Sequence, residues 1–204
     1  MRGYFISFEG IDGSGKSTQI NKLKEFLEQN GYDVLLTREP GGTKISEKIR
    51  NIILDADNKE MTDMTEAFLY AASRAQIVEE VIKPAIDSGK IVICDRYVDS
   101  SIAYQGYGRK LGDFVEVINS YAVQNIMPDL TVFMKVEPTI GNDRISNREK
   151  DRIELEAQDF HMAVYNGYDN LEKRFPDRIK SVDATRSIDE IHNNILEHVK
   201  GLLK

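Results

Sequence analysis

The sequence predicts a doubly wound α/β fold in which helices cover both faces of a five-stranded, mainly parallel sheet. Two observations lead to this prediction. Short apolar runs alternate with longer segments of helical period along the 204 residues. The runs are continuous instead of alternating with polar residues, which is typical of strands covered on both faces. The length suits a single domain over residues 1–204.

The predicted strands are rich in β-branched and aromatic residues. They occupy residues 4–8, 34–37, 91–94, 130–136 and 179–182. In parallel sheets of this kind, ligands bind beyond the carboxyl ends of the strands. We therefore look for functional residues directly after each of these runs.

Amphipathic segments between the runs indicate helices. Residues 17–29 carry apolar side chains at helical spacing, and Gly31 follows as a stop signal. Further helices are predicted over about residues 65–87 and over 113–124. The last helix begins at Ser187, where the spacing of a capping box occurs.

Composition excludes several classes of protein. The chain has 27 Lys+Arg against 34 Asp+Glu, a formal net charge of −7, which argues against general nucleic-acid binding. The single cysteine, Cys94, excludes an intramolecular disulfide. Glu9 comes too early for a signal-peptide core, and no apolar run approaches the roughly 18 residues of a membrane helix. These features predict a soluble, cytoplasmic protein without a membrane partner.

The strongest functional motif follows the first predicted strand directly. It is Gly10-Ile11-Asp12-Gly13-Ser14-Gly15-Lys16-Ser17-Thr18, which fits G-x-x-x-x-G-K-[ST] between a strand and an amphipathic helix. Glycines allow successive backbone N–H groups to surround an anion at a helix N-terminus. We expect Lys16 to reach the β- and γ-phosphates and the Ser17 hydroxyl to bind Mg²⁺. The motif predicts a fold of the P-loop NTPase type that binds a nucleoside triphosphate.

Other motifs narrow the class of enzyme. The string Asn58-Lys59-Glu60-Met61 lacks the final acid of the base-binding motif of GTPases. The H-R-D and D-F-G strings of protein kinases are absent. Motor and AAA-type ATPases normally need a longer chain. These exclusions favour a small phosphotransferase that acts on a small acceptor.

Charged residues follow the second and third predicted strands. Asp95 comes where a carboxylate at a strand end can reach the Mg²⁺ shell, and Arg96 beside it can hold a phosphate. A structural salt bridge is the alternative interpretation of Arg96. Arg38, Arg50 and Arg74 lie in or near the segments expected on the acceptor side. Arginine is suited to bidentate contacts with phosphates and base edges.

Five blocks of sequence resemble the thymidylate kinase family. They are residues 8–18, residues 37–42, Ala71-Ala72-Ser73-Arg74, residues 95–97 with 100–101 and 103–106, and Asp151-Arg152-Ile153-Glu154. The resemblance extends in order from residue 4 to about 185. It implies transfer of the γ-phosphate of ATP to dTMP with Mg²⁺, giving dTDP. It also implies a homodimer, for which the helices over 65–87 and 113–124 are candidate faces.

The same resemblance implies a site for the sugar and phosphate of dTMP. Asp12 would meet the 3′-hydroxyl. The acceptor phosphate would be held by Arg38, Arg50 and Arg96, with Glu39 and Asp95 orienting these arginines or the metal.

For the thymine base, the resemblance implies contacts from three segments. Tyr70 would stack on the ring, although a core aromatic on a helix face is the alternative interpretation. Arg74 and Gln105 would hydrogen-bond the base edge, with Ser101 nearby.

The remaining implied contacts are apolar or concern ATP. Tyr104 would crowd the C2′ position and so disfavour a ribose. Pro40 and Leu54 would line the side of the 5-methyl group. On the ATP side, Arg144 would stack on adenine and Ala184 would touch its edge.

The resemblance also implies a short mobile lid over about 142–156, where basic residues lie among acids, although a solvated charged helix face is the alternative interpretation of these residues. Some relatives carry an arginine in the phosphate loop where this chain has Gly13, so the lid would have to supply that cation. We predict that Arg148 and Arg152 do so, and Lys150 less effectively because it lacks a planar guanidinium. The predicted catalytic residues are Lys16, Asp95, Arg96, Arg148 and Arg152.

The sequence leaves two other functions open. The first is a nucleoside monophosphate kinase with a different base preference. The second is a regulatory protein that binds nucleotides without transferring phosphate.

Overall fold

The computed structural model describes residues 2–146 and 151–203. Its core is one parallel sheet with the strand order β2-β3-β1-β4-β5. The strands are β1 (Phe5–Glu9), β2 (Val34–Arg38), β3 (Ile91–Asp95), β4 (Leu130–Lys135) and β5 (Ile179–Asp183). The predicted fold class is confirmed, and each predicted strand is present with shifts of one residue at its ends.

Nine α-helices occur within the described residues. They are α1 (Lys16–Gln29), α2 (Lys44–Leu54), α3 (Asp63–Ile77), α4 (Lys83–Asp87), α5 (Val98–Ser101), α6 (Phe114–Ala122), α7 (Pro138–Arg144), α8 (Gln158–Arg174) and α9 (Ile188–Leu202). A π-helical segment, Val78–Ile82, joins α3 to α4, so the predicted helix over 65–87 is one continuous helical run. A second, Ile102–Gly108, continues α5.

The central strands are the most deeply buried part of the sheet. All five residues of β1 and the first four of β3 are buried. The strand β2 differs from the predicted two-sided coverage, because Leu36 is 41% exposed. This strand lies at the edge of the sheet, where helices shield it less completely.

Helix starts show how the sequence fixes the elements around the sheet. Thr43 and Thr62 accept hydrogen bonds from backbone N–H groups at the starts of α2 and α3, and Ser187 forms the predicted capping box with Glu190. The helix α1 begins differently, because its N-cap is Gly15 in a left-handed conformation without a side-chain cap. Its first N–H groups therefore face the phosphate loop uncapped by a side chain.

Over the ranges 2–146 and 151–203, no helix has both the length and the apolar composition needed to cross a membrane.

Candidate functional site

Two adjoining cavities lie beyond the carboxyl ends of β1, β2 and β3. The loop cavity is lined by Asp12, Gly13, Gly15, Lys16, Ser17, Thr18, Arg38, Glu39, Arg50, Asp95, Arg96, Arg144 and Ile145. The inner cavity is lined by Asp12, Glu39, Pro40, Arg50, Leu54, Tyr70, Arg96, Ser100, Ser101, Tyr104, Gln105, Asp151 and Ile153. Asp12, Glu39, Arg50 and Arg96 belong to both linings, so the two cavities meet at these residues.

The phosphate loop forms the floor of the loop cavity. Lys16 Nζ donates to the carbonyl oxygens of Gly10 and Ile11, each at 3.0 Å, which holds the ammonium inside the loop. Burial and the charge of Arg96 lower the pKa of Lys16 to about 8. The Ser14 hydroxyl is buried and has no hydrogen-bond partner among the described residues. The loop thus contains a buried cation and an unsatisfied hydroxyl.

Gly13 and Gly141 bring the phosphate loop and α7 into direct backbone contact. A Cβ built at Gly13, where φ is +76°, would lie 2.1 Å from the carbonyl oxygen of Gly141. A Cβ at Gly141 would lie 2.6 Å from the carbonyl oxygen of Asp12. Neither position therefore accepts a side chain without movement of the backbone opposite.

Ser17 and Asp95 both line the loop cavity. Asp95 Oδ1 is buried and finds no hydrogen-bond partner within residues 2–146 and 151–203. A hydroxyl and a carboxylate are hard oxygen donors of the type that Mg²⁺ prefers. No group of three or more His, Cys, Asp or Glu residues in the described part of the chain could hold a metal ion by itself. These two donors suit an ion that is bound mainly by phosphate oxygens.

Arg96 lies at the junction of the two cavities. Its Nη2 donates to Asp12 Oδ1 at 3.0 Å and to the Tyr104 hydroxyl at 3.2 Å, and Nη1 donates to Ser100 and Tyr168 at 3.3 Å. Burial acts to lower its pKa, but Tyr104 and Asp12 hold that pKa well above the ordinary value. The guanidinium is therefore a permanent charge in a fixed position. Arg96 also forms an ion pair with Asp12, so the structure contains the salt bridge that was the alternative interpretation of Arg96.

Glu9 at the end of β1 fixes the segment that carries Arg96. Its Oε1 accepts from the Tyr97 backbone N–H at 2.7 Å, and Oε2 accepts from Ser100 Oγ at 2.5 Å and the Tyr168 hydroxyl at 3.0 Å. Burial, together with the charge of Asp99, raises the pKa of Glu9 to about 7. The sequence analysis did not identify this role, because the three donors follow Glu9 by 88 or more residues.

Arg38 and Arg50 approach the junction from the β2 side. Arg38 forms a bidentate pair with Glu47, at 2.9 and 3.1 Å, and remains half exposed. Arg50 lines both cavities, and its Nη1 donates to the Pro40 carbonyl oxygen at 2.9 Å. Burial and the charge of Arg38 lower the pKa of Arg50. Together with Arg96, these arginines place positive charge where the cavities meet.

The walls of the inner cavity bring together most of the residues expected around a base. Pro40, Leu54, Tyr70, Ser101, Tyr104 and Gln105 all belong to its lining. Tyr104 is 6% exposed, and the guanidinium of Arg96 lies over its ring at 5.0 Å. The lining also includes Ser100, Asp151 and Ile153, which the sequence analysis did not assign to the site. All three belong to the five sequence blocks that carry the family resemblance. Their membership of these blocks could have indicated that they line the cavity.

Arg74 lies outside both cavity linings, as far as the described residues define them. Its Nε and Nη2 donate to Glu39 Oε2, at 2.8 and 2.5 Å, and Nη1 donates to Ser101 Oγ and Asn119 Oδ1. Burial raises the pKa of Glu39 to about 6, although the charge of Arg74 acts in the opposite direction. In this structure Arg74 supports the cavity wall through Glu39 and Ser101, so a direct contact with a base remains a prediction.

Arg152 also lies outside the linings that the described residues form. Its Nε donates to the Ile53 carbonyl oxygen at 2.8 Å and its Nη2 to Glu66 Oε2 at 2.6 Å. The structure therefore does not bring Arg152 to the phosphate loop. Arg148 and Lys150, the other predicted cations, lie outside the described residues.

Arg144, at the end of α7, connects two parts of the predicted ATP site. Its Nη1 donates to the Gly13 carbonyl oxygen at 3.2 Å and Nη2 to the Ala184 carbonyl oxygen at 3.1 Å. Ala184 is buried directly after β5. The guanidinium thus connects the phosphate loop to the end of β5. Arg144 also forms part of the wall of the loop cavity.

A phosphate loop on a parallel sheet, joined through shared arginines to a second, base-sized cavity, defines a P-loop kinase of the nucleoside monophosphate class.

Comparison with known proteins specifies the family. The family model described as thymidylate kinase matches residues 8–195. Thymidylate kinases of Oceanobacillus iheyensis and a Thermoanaerobacter species are 49% and 50% identical over all of this chain, covering 92% and 100% of their own lengths. The crystal structure of thymidylate kinase from Ehrlichia chaffeensis matches with a TM-score of 0.80 at 31% identity, covering 98% of this chain and 99% of that one. The chain belongs to the thymidylate kinase family.

Proposed function

We propose that this chain transfers the γ-phosphate of ATP to dTMP, giving dTDP and ADP. The main support is that the loop cavity and the inner cavity share Asp12, Glu39, Arg50 and Arg96. Nucleotides in the two cavities would meet with their phosphates at these residues. In-line transfer needs this arrangement, because the acceptor oxygen must face the γ-phosphate.

The chemistry depends on positioning and charge neutralisation. Near neutral pH a phosphate monoester is largely a dianion (pKa about 6), so the acceptor needs no general base. Arg38, Arg50 and Arg96 would hold the acceptor phosphate, while Lys16 would neutralise charge on the transferring group. The ammonium of Lys16 would exchange its two loop carbonyl contacts for phosphate oxygens.

Mg²⁺ belongs to the proposal as the ion that accompanies ATP. Ser17 and Asp95 would hold it, since both line the loop cavity and Asp95 has a buried oxygen without a partner among described residues. Bound Mg²⁺ would supply charge neutralisation across the β- and γ-phosphates.

The inner cavity would select a deoxyribose and thymine. Tyr70 would stack on the base, Gln105 and Arg74 would hydrogen-bond its edge, and Tyr104 would leave no room for a 2′-hydroxyl. Pro40 and Leu54 would provide apolar contact for the 5-methyl group. Asp12 would accept from the 3′-hydroxyl. On the donor side, Arg144 would stack on adenine and Ala184 would contact its edge.

The lid over about 142–156 would complete the donor site. Gly13 carries no cation, so Arg148 and Arg152 are the proposed catalytic cations. For Arg152 this requires that its guanidinium leave Glu66 when the nucleotides bind.

A homodimer is proposed through the adjoining surfaces of α3 and α6. These helices expose Phe68, Val117 and Tyr121, which are 51%, 57% and 80% exposed. Phe68 also packs edge-on against Phe114, with ring centroids 5.5 Å apart, so the apolar surface is continuous across both helices. Sedimentation equilibrium at micromolar concentration tests this proposal, and a monomer would contradict it. With a net charge of −7, neither nucleic acid nor a membrane is proposed as a partner, and the proposed location is the cytoplasm.

The test of function is a panel of acceptors. ADP release is measured with Mg-ATP and each of dTMP, dUMP, the ribose analogue of dTMP, dCMP, dGMP and AMP. The expected result is strong turnover with dTMP, weaker turnover with dUMP and little with the others. Turnover mainly with another monophosphate would retain a kinase but refute the assignment of the inner cavity. ATP hydrolysis that no monophosphate stimulates would favour the nucleotide-binding regulatory protein instead.

A further inference from the structure

Glu66 on α3 is a buried carboxylate at the back of the inner cavity, and no contact with substrate has been assigned to it. Its side chain is 0% exposed. Its Oε1 accepts from Gln105 Nε2 at 2.8 Å and from Arg109 Nε at 3.2 Å. Its Oε2 accepts from Arg109 Nη2 at 3.0 Å and from Arg152 Nη2 at 2.6 Å. One carboxylate therefore connects two arginines to a residue of the cavity wall.

The two arginines keep Glu66 ionised. Burial by itself favours the neutral acid, but the hydrogen bonds and charge of Arg109 outweigh it, so the pKa of Glu66 lies below its ordinary value. An ionised carboxylate can only accept hydrogen bonds. Its neighbours must therefore present donors to it.

This requirement fixes the orientation of the Gln105 amide. The NH₂ group of Gln105 must face Glu66, so the carbonyl oxygen Oε1 lies on the opposite side of the amide. Gln105 is 1% exposed and lines the inner cavity, and its Oε1 has no hydrogen-bond partner among the described residues. A buried, unsatisfied acceptor in a cavity wall is costly unless a ligand donates to it.

We propose that Glu66 determines base specificity by fixing the Gln105 amide so that it offers an acceptor, and not a donor, to the base. This inference rests on the proposed function. Thymine carries N3–H, which donates to such an acceptor, whereas N3 of cytosine is itself an acceptor and would face Gln105 Oε1 lone pair to lone pair. Glu66 touches no substrate and acts as a positioning residue.

Glu66→Gln reverses this orientation. The Oε2 side of Glu66 meets Arg109 Nη2 at 3.0 Å and, until Arg152 moves to the donor site, Arg152 Nη2 as well, whereas the Oε1 side meets Arg109 Nε at the longer distance of 3.2 Å. All of these are obligate donors, so the oxygen of the new amide stays on the Oε2 side, where the closer contact with Arg109 remains after Arg152 has left. Its NH₂ group then takes the place of Oε1 and faces Gln105. Gln105 must rotate to accept from it, which turns the NH₂ group of Gln105 towards the base. The variant therefore offers a donor where the parent offers an acceptor.

The experiment measures kcat/KM for dTMP and dCMP in the parent and in Glu66→Gln. We expect the value for dTMP to fall by about 10- to 100-fold and the value for dCMP to rise by about tenfold. Gln105→Met serves as the comparison, because it removes the acceptor without creating a donor. It should lose dTMP activity without gaining dCMP activity.

Glu156→Gln is the matched control. It weakens the 2.6 Å pair between Glu156 and Arg109 in the same cluster but leaves the contact between Glu66 and Gln105 intact. Its ratio of dTMP to dCMP activity should equal that of the parent. The ratio does not depend on the fraction of folded enzyme, so a stability loss cannot imitate the expected result.

An unchanged ratio in Glu66→Gln would overturn the inference about Glu66. A parent enzyme that does not prefer dTMP would refute the proposed function, which is a separate outcome seen before any variant is compared. If Glu66→Gln does not fold, Glu66→Asp replaces it. That variant retains an acceptor-only group, so it should lose dTMP activity and still reject dCMP. A gain of dCMP activity in Glu66→Asp would also overturn the inference.

Discussion

The loop cavity and the inner cavity are built in different ways. The loop cavity, about 530 Å³ in volume, has as its floor one continuous segment, residues 12–18, whose glycines and backbone groups determine the shape of that part. The inner cavity, about 80 Å³, is formed by side chains from several helices and loops. Two buried charge pairs, Arg74 with Glu39 and Arg109 with Glu66, hold those side chains in place, and of these four residues Glu39 belongs to the lining itself. The proposed phosphate site therefore depends largely on local chain geometry, whereas the proposed base site depends on partners that are distant in the sequence.

Four sets of substitutions test this difference between the two cavities. Effects on rate and effects on stability can be compared on one scale, because a tenfold change in rate corresponds to about 1.4 kcal/mol. Changes at the loop cavity should mainly lower the rate. Changes behind the inner cavity should mainly lower stability.

The largest effect is expected from the lid. Arginines that neutralise a transferring phosphoryl group contribute roughly 10³–10⁵ to turnover. We expect Arg148→Ala to lower kcat by about 10³-fold. Arg152→Ala should combine a smaller fall in kcat with a lower melting temperature, because its guanidinium bonds Glu66 and Ile53. If both variants keep the parent rate, the lid does not supply the missing cation.

The next effect concerns the support of the inner cavity. Arg74→Met leaves Glu39 as an uncompensated buried carboxylate, which should lower the free energy of unfolding in urea by about 3–5 kcal/mol. Arg186→Met is the control, because its ion pair with Asp183 is exposed to solvent and its loss should change the free energy of unfolding far less. The double variant with Glu39→Gln should recover part of the loss. A loss as small as that of the control would show that the buried pair does not support the wall.

Lys16→Ala should change the rate and leave the acceptor side intact. Loss of one fixed cationic donor to the transferring group is expected to lower kcat by about 10²–10³-fold. The affinity for dTMP, measured by calorimetry, should stay within about twofold because Lys16 does not line the inner cavity. Lys24→Ala, farther along the same helix, should keep the parent kcat. A large loss of dTMP affinity in Lys16→Ala would mean that the two cavities do not act separately.

The smallest effect concerns Glu9, which lies between the two regions. Its folded pKa of about 7 exceeds the ordinary value of 4.5, so its contribution to stability is present below about pH 4.5 and is lost as pH rises through 7. We expect the free energy of unfolding of the parent to fall by about 1–3 kcal/mol between pH 5 and 8 through this group. Glu9→Gln should flatten that dependence, whereas Glu25→Gln, exposed on α1, should keep the parent slope. Equal slopes in all three proteins would contradict this role.

The sequence predicted the parts of the molecule that depend on local pattern. All five strands and the phosphate loop follow from apolar runs and from one contiguous motif. The helix α2 was not among the predicted elements, although Thr43 at its start is a residue type typical of an N-cap. The helix α8 lacked a start signal, since its N-cap is Ala157 without a side-chain hydrogen bond.

The partners of the base-site residues could not be predicted in the same way. Arg74 bonds Glu39 and Asn119, which lie 35 and 45 residues away, so only the folded chain shows that its donors are engaged. Glu66 gave no signal at all, because it meets Gln105 across 39 residues and belongs to none of the quoted motifs. A motif indicates which residue types are present, whereas the orientation of an amide depends on the neighbours that the fold supplies.

The contact between Gly13 and Gly141 limits how this enzyme can be re-engineered. An arginine cannot be introduced into the phosphate loop at position 13 by one substitution, since its Cβ would overlap the Gly141 carbonyl group. The backbone of α7 would have to retreat, and Arg144, at the end of the same helix, would lose its hold on Gly13 and Ala184. A cation in the loop and a close-packed α7 are thus alternative designs, and a chain could pass from one to the other only by changing both segments together.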